Sequence, residues 1–386
     1  MKSTSKNNNS LSYGFYAIVI GLICTEIYQF ISINNSGYLG GDFTMPIPDT
    51  SSIETALALS LLNWLGVLLV FSLFRTTKQG RIHIPVSNTV LFVYAFNFIL
   101  TYYLDIGVVG SEKSKLGFLL TIIPIGYLIF VNGQSEKLGL RFYFSALLFI
   151  LTDLVRSLLE AVLKVGYVLF LRIKTIKKIS IAILVSPLLI YISSQLIEYK
   201  LNARGVDSSI IDHLQVQDVI TSRISNISTI AYGLSYSQPL SKVYISEEYG
   251  TPWKSAFLVV IPKGIFGIVP PRTWNNALIE FYLGRVVPNS SVNSPLILNL
   301  YLLSIGSLYK LVSYLVFVSI FLYTTLKLAN NLLGVYGEPF KFYIIFQFFW
   351  TGNTSHLVLP LYFLLLLYII QNHTKVFTED ECAEKA

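Results

Sequence analysis

The chain has 386 residues, 53% of them hydrophobic and 13% charged, with a mean hydropathy of +0.62. That composition is wrong for a water-soluble globule of this length and calls for a bilayer as solvent. The formal net charge of +7 does not point to nucleic acid, because the lysines cluster in short turns between apolar runs, where they set orientation in a membrane.

A helical span needs about 20 apolar residues, so ten spans would use about 200 and leave room for one sizeable extramembranous segment. The 25 tyrosines and 26 phenylalanines suit helix ends anchored at headgroup level. The two cysteines, Cys24 and Cys382, stand too far apart for a disulfide framework, and nothing resembles a thiolate metal site. Met1 to Ser10 is polar, and the first apolar run, Tyr13 to Ile33, is long enough to remain as a span in place of a cleaved signal.

Further apolar runs follow at Ile53 to Phe74, Val86 to Leu104, Leu116 to Val131, Leu140 to Leu171, Ile179 to Leu196, Leu308 to Leu326, Phe340 to Trp350 and Leu357 to Ile370. Lys and Arg are absent from Asn34 to Ser52. They recur as Arg75, Lys78 and Arg81, as Lys137 with Arg141, and most densely as Arg172, Lys174, Lys177 and Lys178. Positive charge resists translocation, so the amino terminus and these dense turns are expected in the cytoplasm.

The run from Leu140 to Leu171 decides the topology. Both of its ends are basic, and a hairpin keeps both inside with Asp153 and Arg156 at its outer tip, whereas a single helix would move every later loop to the other side. With the hairpin, residues 1–198 hold seven membrane helices and 199–294 form one large periplasmic loop of short helices. Residues 295–372 add three more helices, and 373–386 are a cytoplasmic tail. The stretch Phe257 to Pro271 is too broken by Gly and Pro to span and reads as interfacial or re-entrant. The expectation is an all-α polytopic membrane protein of about ten transmembrane helices with both termini cytoplasmic.

Asp153, Arg156, Glu160 and Lys164 are spaced by three, four and four, so in a helix they share one face with alternating sign. At about 2.5–3.5 kcal/mol each at mid-membrane, four such charges require a purpose. They read either as a self-neutralised stripe or as a device that points Arg156 into a cavity for an anionic ligand. The outer loop holds Arg204, Arg223, Arg272 and Arg285 beside four lysines, against five Arg and fifteen Lys elsewhere. Arginine offers a rigid fork suited to phosphate, and the alternative is a headgroup-level charge.

Of the histidines, His213 and His356 face outward on this topology. His356, in the tight turn Thr351 to His356, is the better general-base candidate; Asp207, Asp212, Glu247, Glu248 and Glu280 are rivals. The outer loop has no Asp-x-Asp pair, paired-His spacing, Gly-rich phosphate loop or Gly-x-Ser-x-Gly elbow, so neither a metal-bound nucleotide donor nor serine hydrolysis finds support.

The hairpin Leu151-Thr152-Asp153-Leu154-Val155-Arg156-Ser157 resembles a short-span arginine motif of the bacterial O-antigen polymerase (Wzy) family. Arg223-Ile224-Ser225, Ile268-Val269-Pro270-Pro271-Arg272-Thr273-Trp274 and the approach from Asn293-Ser294-Pro295 to Gly306 are similar to further parts of that family. The likeness covers roughly residues 140 to 360. One departure is that the late outer turn Trp350-Thr351-Gly352 lacks the arginine often found there. The resemblance implies a GT-C-like polymerase architecture in the bacterial inner membrane. It implies a metal-independent glycosyltransferase that polymerises undecaprenyl-pyrophosphate-linked oligosaccharide repeat units on the periplasmic face, with no cofactor.

On that reading Arg156, Arg223, Arg272 and Arg204 bind the substrate pyrophosphate, His356 is the catalytic base, and a polysaccharide chain-length regulator is a further partner. The alternatives from the same membrane chemistry are a lipid-linked oligosaccharide flippase, or an O-antigen ligase.

Overall fold

A computed structural model describes residues 13–40, 43, 45–75, 86–106, 124–133, 138–156, 160–171, 173, 225–249, 257, 272–285 and 292–383. Apolar runs fold as helices because a bilayer leaves no other partner for backbone N–H and C=O groups. In chain order these are α1 (Tyr13–Ser36), α2 (Thr50–Leu73), α3 (Val86–Leu104), α4 (Leu128–Asn132), α5 (Leu140–Val155), α6 (Glu160–Phe170), α7 (Ile227–Ser235), α8 (Ser237–Tyr244), α9 (Trp274–Leu283), α10 (Leu296–Gly306), α11 (Leu308–Leu333), α12 (Glu338–Thr351) and α13 (Ser355–Ala383). Two two-residue strands, β1 (Tyr38–Leu39) and β2 (Met45–Pro46), pair antiparallel between α1 and α2.

Four helical stretches among the described residues are long and apolar enough to cross a membrane: Gly14–Ser36, Thr50–Leu73, Leu308–Leu333 and Ser355–Asn372. Their outer faces carry exposed large side chains, including Leu69, Leu73 and Tyr309 at 62–80% exposure. Such surfaces are liabilities in water and match lipid. The chain is thus an all-α membrane protein. Of the other expected spans, Ile179 to Leu196 lies outside the described residues.

Leu116 to Val131 is not one continuous helix. Residues 107–123 lie outside the description, and Pro124 precedes a 3-10 turn, Ile125–Tyr127, that leads into the five residues of α4. Proline withholds an N–H and disfavours helical backbone in the residue before it, which breaks the run there. At the other end, α13 passes the expected tail boundary at residue 373 and continues to Ala383, since no Gly or Pro follows Pro360 to stop it.

One end of the bundle is basic. There Gly14 N donates to Ile173 O at 3.3 Å, and Lys341 Nζ and Asn330 Nδ2 both donate to Phe74 O, at 2.8 and 3.0 Å. Arg75 faces Glu338 at 3.6 Å beside them. The opposite end gathers the connections: Gly40 N donates to Ser228 Oγ at 3.1 Å, Ser235 Oγ to Ser52 Oγ at 3.2 Å, and Asn275 Nδ2 to Thr351 O at 3.1 Å. Helices α11, α12 and α13 therefore alternate in direction between the two ends.

The run from Leu140 to Leu171 is two helices. Ala161 N donates to Asp153 Oδ2 at 2.7 Å, and Lys164 Nζ sits 6.0 Å from the Phe149 ring. The partner number falls from 153 to 149 as its mate rises from 161 to 164, so the pair is an antiparallel hairpin. Its limbs of 16 and 11 residues measure about 24 and 16 Å, short of an apolar layer of about 30 Å. At the start of the second limb, Glu160 accepts from Tyr343 OH of α12.

Part of the segment expected outside is also embedded. Glu26, 1% exposed in α1, accepts from Trp64 Nε1 at 2.8 Å, from Ser225 Oγ at 2.6 Å and from Asn226 N at 3.2 Å. Glu26 lies ten residues before the end of α1, about 15 Å down the helix. Helix α7 thus starts inside the bundle, packed on α2, and rises toward the gathered end. Phe257, the first residue of the stretch expected to be re-entrant, contacts the rings of Phe317 and Phe321 on α11; residues 258–271 lie outside the description.

The turn between α12 and α13 is locked. Tyr314 OH donates to Gly352 O at 3.3 Å, and a Cβ at Gly352, where φ is +60°, would stand 2.1 Å from Asn299 Nδ2 and 2.2 Å from Ser294 O. Gly352→Ala is therefore expected to lower stability by about 2 kcal/mol or more. Gly21→Ala, in helix with nothing within 4 Å, should be neutral or slightly stabilising. Thermal unfolding in detergent compares the two, and equal midpoints would refute the locked turn.

Candidate functional site

All four charges of the alternating stripe line one cavity of about 180 Å³, together with Asn97, residues 124–127, Phe149 and Leu359. Pockets for drug-sized ligands run from about 300 to 1,000 Å³. This one is therefore the size of a headgroup and cannot enclose an oligosaccharide.

Three of the four charges are already engaged by the protein. Asp153 caps the second limb of the hairpin through the Ala161 N–H. Glu160, with 46% of its side chain exposed, pairs with Lys164 at 2.8 Å and accepts from Tyr343 OH. Lys164, 4% exposed, sits in an aromatic box, with its ammonium 4.3 Å from the Tyr127 ring centroid and 5.2 Å from that of Tyr343. Gly126 closes the box: a Cβ there would lie 2.8 Å from Lys164 Nζ. Carboxylate and rings together satisfy this ammonium in a place where a lone one would be costly.

Arg156 is different. It caps the C-terminal end of α5, and its Nη2 donates to Asn97 Oδ1 at 2.8 Å and to Thr101 Oγ1. Both acceptors are neutral, and no carboxylate lies within ion-pair distance of the guanidinium among the described residues. A guanidinium carries five N–H donors. The two on Nη2 are used, while Nε is buried without a partner. Asp153, on the same cavity wall, is near enough to interact with the guanidinium electrostatically, and three of its donors are left over.

The remaining candidates separate clearly. Arg272, just before α9, faces Glu248 and, at 3.2 Å, Glu280 and Tyr249 OH. The hydrogen bond with Tyr249 and the two carboxylates raise its pKa above the ordinary value. Its charge is thus compensated twice over within the protein. Arg204 and Arg223 lie outside the described residues, as do Asp207, Asp212 and His213.

His356 stands in the first turn of α13, three residues before Leu359 of the cavity wall. Its ring is near enough to interact electrostatically with Glu160 and Lys164 and has no hydrogen-bond partner among the described residues. Glu248 and Glu280 are held by Arg272. The structure thus places Arg156 on the cavity wall, His356 beside the Glu160–Lys164 pair, and Arg272 in its own cluster. Among the described residues no group of three or more His, Cys, Asp and Glu side chains is placed to share a metal ion.

Sequence reasoning passed over Asn97 and Thr101. The signal was present, two polar residues four apart within the apolar run Val86 to Leu104, hence on one face of its helix. The Tyr127 and Tyr343 rings could not have been found, because so many other aromatic residues compete for the role.

No protein-family model, no curated protein and no solved structure matches the chain.

The Lys164 box yields a stability prediction. Glu160→Gln leaves a 4%-exposed ammonium without its counter-charge; with nearly half of the Glu160 side chain open to solvent, the expected loss is about 1–2 kcal/mol. Glu160→Gln with Lys164→Met should recover most of that loss, since an apolar pair needs no compensation. Unfolding midpoints of the single and double variants decide the matter; additive losses would mean that the two residues do not depend on one another.

Proposed function

We propose that the protein is a membrane glycosyltransferase that polymerises oligosaccharide repeat units carried on undecaprenyl pyrophosphate, at the end of the bundle where residues 226–249 and 272–307 gather. The single observation that carries this reading is the Arg156 guanidinium, held in a headgroup-sized cavity by neutral oxygens with no carboxylate within ion-pair distance among the described residues. An arginine kept this way is suited to a phosphate, and burial within the bundle suits a phosphate that arrives on a lipid. The resemblance of residues 151–157 and 268–274 to the O-antigen polymerases agrees with it.

On this reading the growing chain is the donor and its pyrophosphate is the leaving group. The bond between the anomeric carbon and the pyrophosphate oxygen breaks, and Arg156 stabilises the negative charge that collects there. The terminal sugar hydroxyl of a new lipid-linked unit attacks the anomeric carbon and forms the new glycosidic bond. His356 accepts the hydroxyl proton and passes it to solvent. The saccharides lie outside the cavity, which takes only the phosphates. Arg272, neutralised by Glu248 and Glu280, contributes less than Arg156. Orientation follows from the basic end being cytoplasmic, which puts both termini inside.

Surface polysaccharide from cells carrying variants tests the proposal. Arg156→Ala should remove long chains at least about 100-fold and leave single-repeat antigen, as loss of a charge made for the transition state implies. Arg272→Ala should shorten chains by less than about 10-fold. Undiminished long chains in Arg156→Ala would remove this residue from the mechanism, and loss of all attached antigen would indicate a transporter or a ligase.

A further inference from the structure

We infer that Asn97 and Thr101 of α3 are the residues that make the cavity select an anionic phosphate group, by fixing the Arg156 guanidinium with neutral acceptors alone. This assignment rests on Arg156 being the phosphate-holding cation, and it names residues that neither the charge stripe nor the likeness to a polymerase brings into view.

The two side chains lie four apart on one face of α3 and are almost wholly buried, at 4% and 0% exposure. Both accept from the same nitrogen, Nη2 of Arg156. A guanidinium nitrogen has two hydrogens, so this nitrogen is saturated. The group cannot rotate without breaking two hydrogen bonds, and the Nε and Nη1 hydrogens are thereby presented in fixed directions.

Of the four charged residues on the cavity wall, Glu160 is taken by Lys164 and Tyr343, while Asp153 accepts the Ala161 N–H and interacts with Arg156 electrostatically without forming an ion pair. What remains on offer is the Arg156 guanidinium with its free N–H groups. Those are the requirements of a phosphate, or of one half of a pyrophosphate.

Chemistry at position 97 is the sensitive point. A carboxylate has the shape of the carboxamide it would replace and would meet Nη2 at the same place. It would form an ion pair with Arg156 and cancel the charge that attracts the ligand. If the cavity takes no anion and Asn97 and Thr101 serve only to seat Arg156, such a carboxylate leaves the binding of phosphate compounds unchanged. The two roles therefore predict different results for one variant.

The test uses the full-length protein purified in detergent, with inorganic pyrophosphate and geranyl pyrophosphate as probes in parallel titrations. Asn97→Asp is expected to weaken binding of both probes by about 100-fold while its unfolding midpoint stays level or rises. Thr101→Val should weaken binding by about 10-fold, and Thr101→Ser, which keeps the acceptor oxygen, should restore it relative to Thr101→Val.

Tighter binding of the geranyl compound than of free pyrophosphate assigns the anion to a lipid, and equal affinities assign it to a soluble phosphate; both sustain the site. Wild-type affinity in Asn97→Asp, or no binding of either probe by the unmodified protein, overturns the assignment. Should binding respond as expected while long polysaccharide chains survive Arg156→Ala in cells, the anion site stands and the polymerase reading falls.

Discussion

A guanidinium ion held between two neutral oxygens inside a helical bundle is the constraint on which the rest turns. In a membrane-embedded protein an uncompensated cation is among the least favourable groups to bury. Three other cations meet a counter-charge: Lys164 has Glu160 and a box of rings, Arg272 has two carboxylates, and Arg75 faces Glu338. Lys341, wholly buried at the basic end, is held like Arg156 by neutral oxygens, Phe74 O and Asn330 Oδ1. Arg156, given a carboxamide and a hydroxyl, differs in lying on the wall of a cavity with N–H groups on Nε and Nη1 left over.

The scaffold around it serves the same end. The hairpin of α5 and α6 is too short to cross, and the Asp153 bond to the Ala161 N–H ties its two limbs together beside Arg156. On the opposite wall, the turn that leads into α13 is held by Asn275 and Tyr314 and by the close approach of Asn299 to Gly352. That turn sets the position of His356 one turn before Leu359 of the cavity. Elements from four parts of the sequence thus converge on a volume of about 180 Å³, as precise placement of charge requires.

Much of the fold could be read from the chain because a bilayer imposes strong rules. Helix length and apolar content revealed α1, α2, α11 and α13, and paired basic ends revealed the hairpin. What was illegible followed from packing. Nothing in Ile227 to Ser235 announces that it sinks beside α1, because the partner that draws it in, Glu26, lies 199 residues from Ser225. The spacing of Asp153, Arg156, Glu160 and Lys164 located the site, yet spacing cannot say which charges are spent. Only the neighbours Tyr343, Tyr127, Asn97 and Thr101 distinguish Arg156 from Lys164. Arg272 stood out in sequence for its stiff prolines and its tryptophan, and the carboxylates that occupy it come from residues 24 positions before and 8 after.

The most direct measurement is a structure determined with a prenyl pyrophosphate bound. The account predicts a phosphate oxygen about 3 Å from Nε or Nη1 of Arg156, with Asn97 and Thr101 still on Nη2. Phosphate found against Arg272 in its cluster, or Arg156 turned away to pair with Asp153, would contradict it.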